Sequence, residues 1–283
     1  MDVLNGSADY ITTSSCSGRI ALFHSISETE EGEGEELHRG AAAAAPGNDS
    51  ITSTSTRGRG MKRGAQEALG WLFVKHGALT GAEMQSIVLA LSGPARTPEE
   101  AALDDAQVSR WRARQAAVER EGALAQHTAD SGVVRVGAFT GEVEGPLADA
   151  GAAAEHPRFQ PPARGTVCLK MEPFVMHVEC RTMAAAKELL TAAATEGGYR
   201  NSGVTPPGKK IMCGIRCTTG LGMEVPLVMS GCNYMARASG EAASVTNPNR
   251  LYLWHLLDLA NEKMLANEKR TDRLEGAVKR RIK

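Results

Sequence analysis

Large side chains able to build a hydrophobic core are scarce in this sequence. Aromatic residues fill only 4% of the 283 positions, and much of the 42% counted as apolar is supplied by 42 alanines. That supply suits one core of ordinary size and leaves the rest of the chain irregular. Long apolar runs are missing as well. Stretches such as Val225–Met229 fall far short of the ~20 residues needed to cross a bilayer, so no membrane partner is expected. The first residues carry neither the basic nor the apolar region of a secretion signal. Cysteine is sparse, six in all with no Cys-x-x-Cys pair, which argues against a secreted disulfide scaffold. Cys213 and Cys217 lie four apart with no His beside them, and read as small buried groups on one face of a strand rather than zinc ligands. No metal is expected, and the compartment expected is the cytoplasm, with the nucleus as the alternative.

An excess of charge is also lacking. The 32 Lys and Arg nearly balance 33 Asp and Glu, a net charge of -1, which argues against a uniformly basic nucleic-acid binder. Familiar catalytic and nucleotide-binding patterns are absent in their proper context. No Gly-x-Gly-x-x-Gly opens a helix after a strand, and there is no phosphate-binding loop, no Gly-x-Ser-x-Gly and no His-Glu-x-x-His.

What is present is order in three stretches: 1–23, 71–91 and 165–283. Together they are expected to form one catalytic domain. In the first, Ile20–Phe23 reads as a strand fed by a hydroxyl-rich loop over Thr12–Arg19. In the second, the alternation over Trp71–His76 gives a strand. Thr80 then caps a helix with Met84, Ile87, Val88 and Leu91 on one face. In the third, TVCLKMEPFVMHVECR reads as two short strands broken near Pro173, which cannot donate to a ladder. Thr182 caps a helix that closes at Gly197 or Gly198; strands follow over KKIMCGIRCT and EVPLVM; and Asn249 caps a long final helix with a basic tail. Between these stretches lie two insertions. Residues 24–70 are acidic, then alanine-rich, then Gly/Arg-rich, and disorder is expected; residues 92–164 are expected to hold one helix, started by a capping box at Thr97-Pro98-Glu99-Glu100 and running to about Ala125, and then a linker. Trp111 is that helix's only large aromatic, and Arg110, Arg112 and Arg114 read as a solvated face.

Four polar clusters flank the expected strands: Thr13–Arg19, Glu172-Pro173-Phe174 with His177, Tyr199–Gly203, and Arg216–Thr219 with Glu224-Val225-Pro226 behind it. Any one alone reads as a turn or cap sooner than as a ligand site. Taken in order they are specific. TTSSCSGRI (12–20), WLFVKHG (71–77), EPFVMHVECR (172–181), YRNSGVT (199–205), IRCTTG (215–220), EVPL (224–227) and LANEKM (259–264) together resemble the tRNA wybutosine-synthesizing protein 3 family. The resemblance covers nearly all of the ordered part and neither insertion.

The resemblance implies an S-adenosylmethionine-dependent methyltransferase. Its substrate would be phenylalanine tRNA, at the tricyclic base of position 37 beside the anticodon, and the methyl group would go to N-4 of 4-demethylwyosine carrying its aminocarboxypropyl chain. Other enzymes of wybutosine synthesis are the expected partners besides the anticodon arm. The implied fold is a compact α+β domain with a curved, mostly antiparallel sheet and flanking helices, not a doubly wound methyltransferase sheet. Methyl transfer from a sulfonium is an in-line displacement, so positioning carries most of the catalysis, and one general base would help the acceptor ring nitrogen lose its proton. His177 and Glu172 are the candidates for catalysis. On an unbroken strand they would point to opposite faces, but Pro173 interrupts the alternation. Ser15, Ser17, Gly18, Arg19, Asn201, Ser202 and Gly203 are the candidates for the cofactor; Arg200, Arg216, Thr218 and Tyr199 for the substrate. Phe174 and Tyr199 are the aromatic planes on which the base could stack. A structural, buried role for His177 is the competing reading. The competing function is a tRNA-binding or scaffold protein of the same pathway that has lost catalysis, consistent with the short lead before Tyr10 and with Cys217, where the family usually has Ser.

The near-neutral balance divides unevenly. Residues 165–283 hold 17 Lys and Arg against 11 Asp and Glu, while both insertions are acidic. A basic core suits an RNA partner.

Overall fold

The computed structural model describes residues 2–26, 70–120, 159–205, 208–217, 220–237 and 246–282. After a single helical turn, α1 (Asp2–Asn5), the strand β1 (Tyr10–Ser25) pairs antiparallel on one side with β2 (Gly70–Lys75). On its other side β1 pairs along its whole length with β3 (Thr166–Cys180), from Tyr10 opposite Cys180 to Ser25 opposite Thr166. The far edge of β3 is shared. β4 (Gly203–Val204) and β5 (Ile211–Arg216) extend the sheet beside Val175–Cys180, and β6 (Met223–Met229) with β7 (Cys232–Asn233) extends it beside Thr166–Met171. The result is one curled antiparallel sheet of seven strands.

Helices cover one face of that sheet. They are α2 (Gly81–Ser92), α3 (Pro98–Arg120), α4 (Met183–Thr191), which continues into a π-helical turn over Ala192–Glu196, and α5 (Pro248–Arg281). At ~1.5 Å per residue, α5 is about 50 Å long and reaches across both ends of the sheet. Ile20, Leu22 and Leu72 pack with Met84, Trp254 and Leu257 at one end. Val178, Cys213 and Ile215 pack with Leu189, Leu274 and Val278 at the other. Burial pushes the Cys180 thiol up to about 11 and the Cys213 thiol up to about 12, so both stay protonated at neutral pH and serve as small apolar groups.

The α+β fold with a curved antiparallel sheet agrees with the sequence reading, with four local differences. Thr12–Arg19 is not a loop: β3 offers a partner over the full length, so its hydroxyl-rich residues extend the strand to Tyr10. Thr166–Cys180 is one strand, not two. The cap of α5 is Asn247, whose Oδ1 accepts the Asn249 N–H at 3.0 Å with Pro248 in the first turn, not Asn249. The fourth concerns α3, expected inside an insertion. It is packed into the core: Trp111 is 2% exposed and its Nε1 donates to Asp258, while Asp104 receives Arg250 and Trp254 of α5.

Candidate active site on the open face of the sheet

The face of the sheet away from α5 carries no helix among the described residues, and the register lines its polar side chains up in rows. Ser14, His177, Gly214 and Gly203 stand opposite one another across β1, β3, β5 and β4. Cys16, Val175 and Arg216 form the next row, and Arg19 with Glu172 a third.

Two local devices bring these residues to one face. The first is a bulge between Thr12 and Ser14, which turns Ser14 to the side of His177; Ser14 Oγ lies 3.0 Å from His177 Nδ1, and Thr13 Oγ1 donates to the His177 carbonyl at 3.1 Å. The second lies at Gly18 opposite Pro173. The carboxamide of Asn267, fully buried on α5, enters the ladder there. Its Oδ1 accepts the Phe174 N–H at 2.8 Å, and its Nδ2 donates to the Ser17 carbonyl at 2.7 Å. Both strands change alternation at this point. Leu169 and Met171 face the core before it, Phe174, Met176 and Val178 after it, so Glu172 and His177 emerge on the same open face. Gly18 is required here: its φ is +108°, and a Cβ would come 2.8 Å from Asn267 Nδ2.

His177 and Glu172 share a face but do not form a pair. They lie five positions apart along the strand, about 16 Å at ~3.3 Å per residue. Glu172 instead receives Arg19 Nε at 2.5 Å. The Arg19 guanidinium lies 4.2 Å from the ring of Trp71, and Trp71 tilts against Phe23 at 4.5 Å. Trp71 is 38% exposed. Beside this end, Lys170 pairs with Glu224 at 2.9 Å. At the other end, a Cβ placed on Gly214 would lie 3.7 Å from the His177 ring, so the two facing glycines leave the imidazole uncrowded.

The remaining expected residues fall in different places. Asn201 and Ser202 reach the open face through Arg216: Arg216 Nε donates to the Asn201 carbonyl at 3.2 Å and Arg216 N to Ser202 Oγ at 3.1 Å. Ser15 stands opposite buried Met176, on the helix-bearing side of the sheet, and the Ser17 carbonyl is taken by Asn267. Tyr199 is not a stacking surface. It is fully buried, its ring packs edge-on against Phe174 at 5.3 Å, and burial pushes its hydroxyl up to about 12. Arg200 lines a separate cavity with Gly198, Cys217, Arg270 and Arg273. Thr218 lies outside the described residues. Ser14 and Trp71 are the additions. Ser14 was hidden by the bulge, and Trp71 read as an ordinary strand residue although it was one of only 3 Trp in the chain.

Comparison with known proteins gives the family. The sequence profile of the family described as Methyltransferase TYW3 matches residues 1–280. The chain belongs to that family. Relatives include the tRNA wybutosine-synthesizing protein 3 homologs of Xenopus laevis, 38% identical over 117 residues, and of Homo sapiens, also 38% identical over 117 residues. The matched segment covers 41% of this chain in each case, and 40% of the Xenopus protein and 39% of the human one. The plant tRNA wybutosine-synthesizing protein 2/3/4 of Arabidopsis thaliana is 38% identical over 111 residues, covering 38% of this chain and 10% of that protein. Among solved structures, the PH1069 protein from Pyrococcus horikoshii superposes with a TM-score of 0.46 at 17% identity, covering 98% of this chain and 80% of that one.

A TYW3-family methyltransferase needs room for a methyl donor, and the donor set of the open face fits S-adenosylmethionine. With Nε committed to Glu172, the terminal nitrogens of Arg19 have no partner among the described residues and suit a carboxylate. Glu172 and Glu224 suit an ammonium or a ribose diol, and Trp71 suits a flat ring. Among the described residues no group of three or more His, Cys, Asp and Glu could hold a metal ion. No described helix is long and apolar enough to cross a membrane.

Proposed function

We propose that the chain methylates N-4 of the 4-demethylwyosine-type base, bearing its aminocarboxypropyl chain, at position 37 of phenylalanine tRNA. S-adenosylmethionine, when bound, supplies an electrophilic methyl group on a sulfonium. The chain's own task is to hold two flat, charged molecules in line and to remove one proton.

The observation that carries this reading is the Ser14–His177 pair at 3.0 Å on an open face that also bears Arg19, Glu172 and Trp71. His177 is the general base. With Ser14 Oγ accepting from Nδ1–H, the lone pair sits on Nε2, on the side of Gly214, and takes the proton of the acceptor ring nitrogen. Ser14 is therefore a positioning residue. So is Glu172, which holds the Arg19 guanidinium over Trp71 while Arg19 receives a carboxylate. Trp71 offers a stacking plane, the contact that unstacked RNA bases and purine rings use most. Arg216, anchored by Asn201 and Ser202, brings positive charge to the edge of the same face.

The test is transfer of label from S-adenosylmethionine to tRNA isolated from cells that lack this step. Label on N-4 of the tricyclic base is the expected result. Tight tRNA binding with no transfer and no binding of the methyl donor would instead identify a scaffold of the pathway.

A further inference from the structure

The turn Tyr199–Ser202 joins the open face to a second feature. Ser202 meets Arg216 on the open face, while Arg200 lines a cavity of about 390 Å³ with Gly198, Cys217, Arg270 and Arg273. Tyr199 is the anchor between them, its hydroxyl 3.0 Å from Thr271 Oγ1 on α5. Three guanidinium groups thus come from two elements. Those of Arg270 and Arg273 converge on Gly198: a Cβ there would lie 3.9 Å from both Arg270 Nε and Arg273 Nη2.

Charge in this cavity is unbalanced. Its one carboxylate, Glu196, is committed to Arg280 at 2.8 Å and to Arg281, and their hydrogen bonds hold it below its usual range. Among the described residues Arg200, Arg270 and Arg273 enter no salt bridge. Arg270 Nη1 donates to the Cys217 sulfur at 2.7 Å, but its buried Nε has no hydrogen-bond partner among the described residues. Like charges held together in a partly buried cavity, with a donor left over, are stabilised by an anion rich in acceptor oxygens.

We propose that this cavity grips a backbone phosphate of the RNA substrate while the reacting base lies on the open face. The proposal rests on the reading of the chain as a tRNA methyltransferase. Its shared chemistry is that of any compact anion, so the test separates an RNA phosphate from the carboxylate of the methyl donor.

Affinity of the full chain for phenylalanine tRNA isolated from cells that lack this methylation is measured across a salt series. The wild type is compared with the exposed double variant Arg200→Gln/Arg273→Gln and with Arg112→Gln on the distant α3. Calorimetry measures binding of S-adenosylmethionine to each. The expected result is a slope of log affinity against log salt reduced by about 1 in the double variant, unchanged in Arg112→Gln, with methyl-donor affinity retained. An unchanged slope in a chain that does bind tRNA overturns the cavity assignment alone. Loss of methyl-donor binding assigns the cavity to that carboxylate and overturns it too. Absence of tRNA binding by the wild type overturns the substrate reading and this one with it.

Discussion

Asn267 stands where Ser17 and Phe174 would otherwise hydrogen-bond to each other. Its two bonds replace the missing ladder contacts at the point where Pro173 has no N–H to give. Removing the carboxamide leaves a buried N–H and a buried carbonyl without partners, at ~1–3 kcal/mol each. Asn267→Ala should therefore lower stability by about 3 kcal/mol in chemical denaturation, with methyl transfer falling further than the loss of folded protein explains. The second effect belongs to the face change: without the kink, Glu172 and His177 return to opposite sides. That parity was the open question in the sequence, because Pro173 signals an interruption but not its outcome. The deciding residue lies on α5, 93 positions away from Phe174.

At the scale of elements, α3 shows where sequence patterning fails. Its apolar residues make no stripe, and its Trp is single. It is held instead by buried charge: Asp104 by Arg250 and Trp254, Asp258 by Trp111 and Arg110, and Glu100 by Arg237 and Asn247. Such partners sit about 150 positions away and have no periodic signature. Strands and caps were easier, since Thr80, Thr182 and the Trp71 alternation act locally. The open face was half legible. Arg19, Glu172, His177 and Arg216 were found by residue type, while Ser14 and Trp71 needed the bulge and the cross-strand register. The network also fixes a pH dependence. Burial works to raise the Glu100 carboxyl, but the N–H groups of Arg96 and Asn247 and the Arg237 guanidinium outweigh it and hold it below the usual carboxylate range. A depressed folded-state value means stability present at higher pH and lost as pH falls through that value. Glu100→Gln should remove part of the acid sensitivity and lower stability at neutral pH, read as melting temperature against pH.

For the whole molecule, α3 changes which parts can be removed. His24 pairs with Gly70, so a short turn can replace 27–69 without moving β1 or β2. Replacing 27–69 and 121–158 by short Gly/Ser linkers should keep the fold by circular dichroism and keep tRNA affinity, because both segments are net acidic and residues 165–283 carry the basic excess. Extending the second deletion back to Pro98 should unfold the protein, since it removes Trp111 and Asp104 from the core.

We propose that methyl transfer occurs on the uncovered face of the sheet, with His177 as base. Single-turnover transfer of labelled methyl to tRNA lacking this modification tests it directly, with wild type and His177→Ala at saturating tRNA and methyl donor. The expected result is a rate constant lower by about 100-fold or more in His177→Ala, with binding of both substrates retained. An unchanged rate constant, in a variant that folds and binds both, would contradict it.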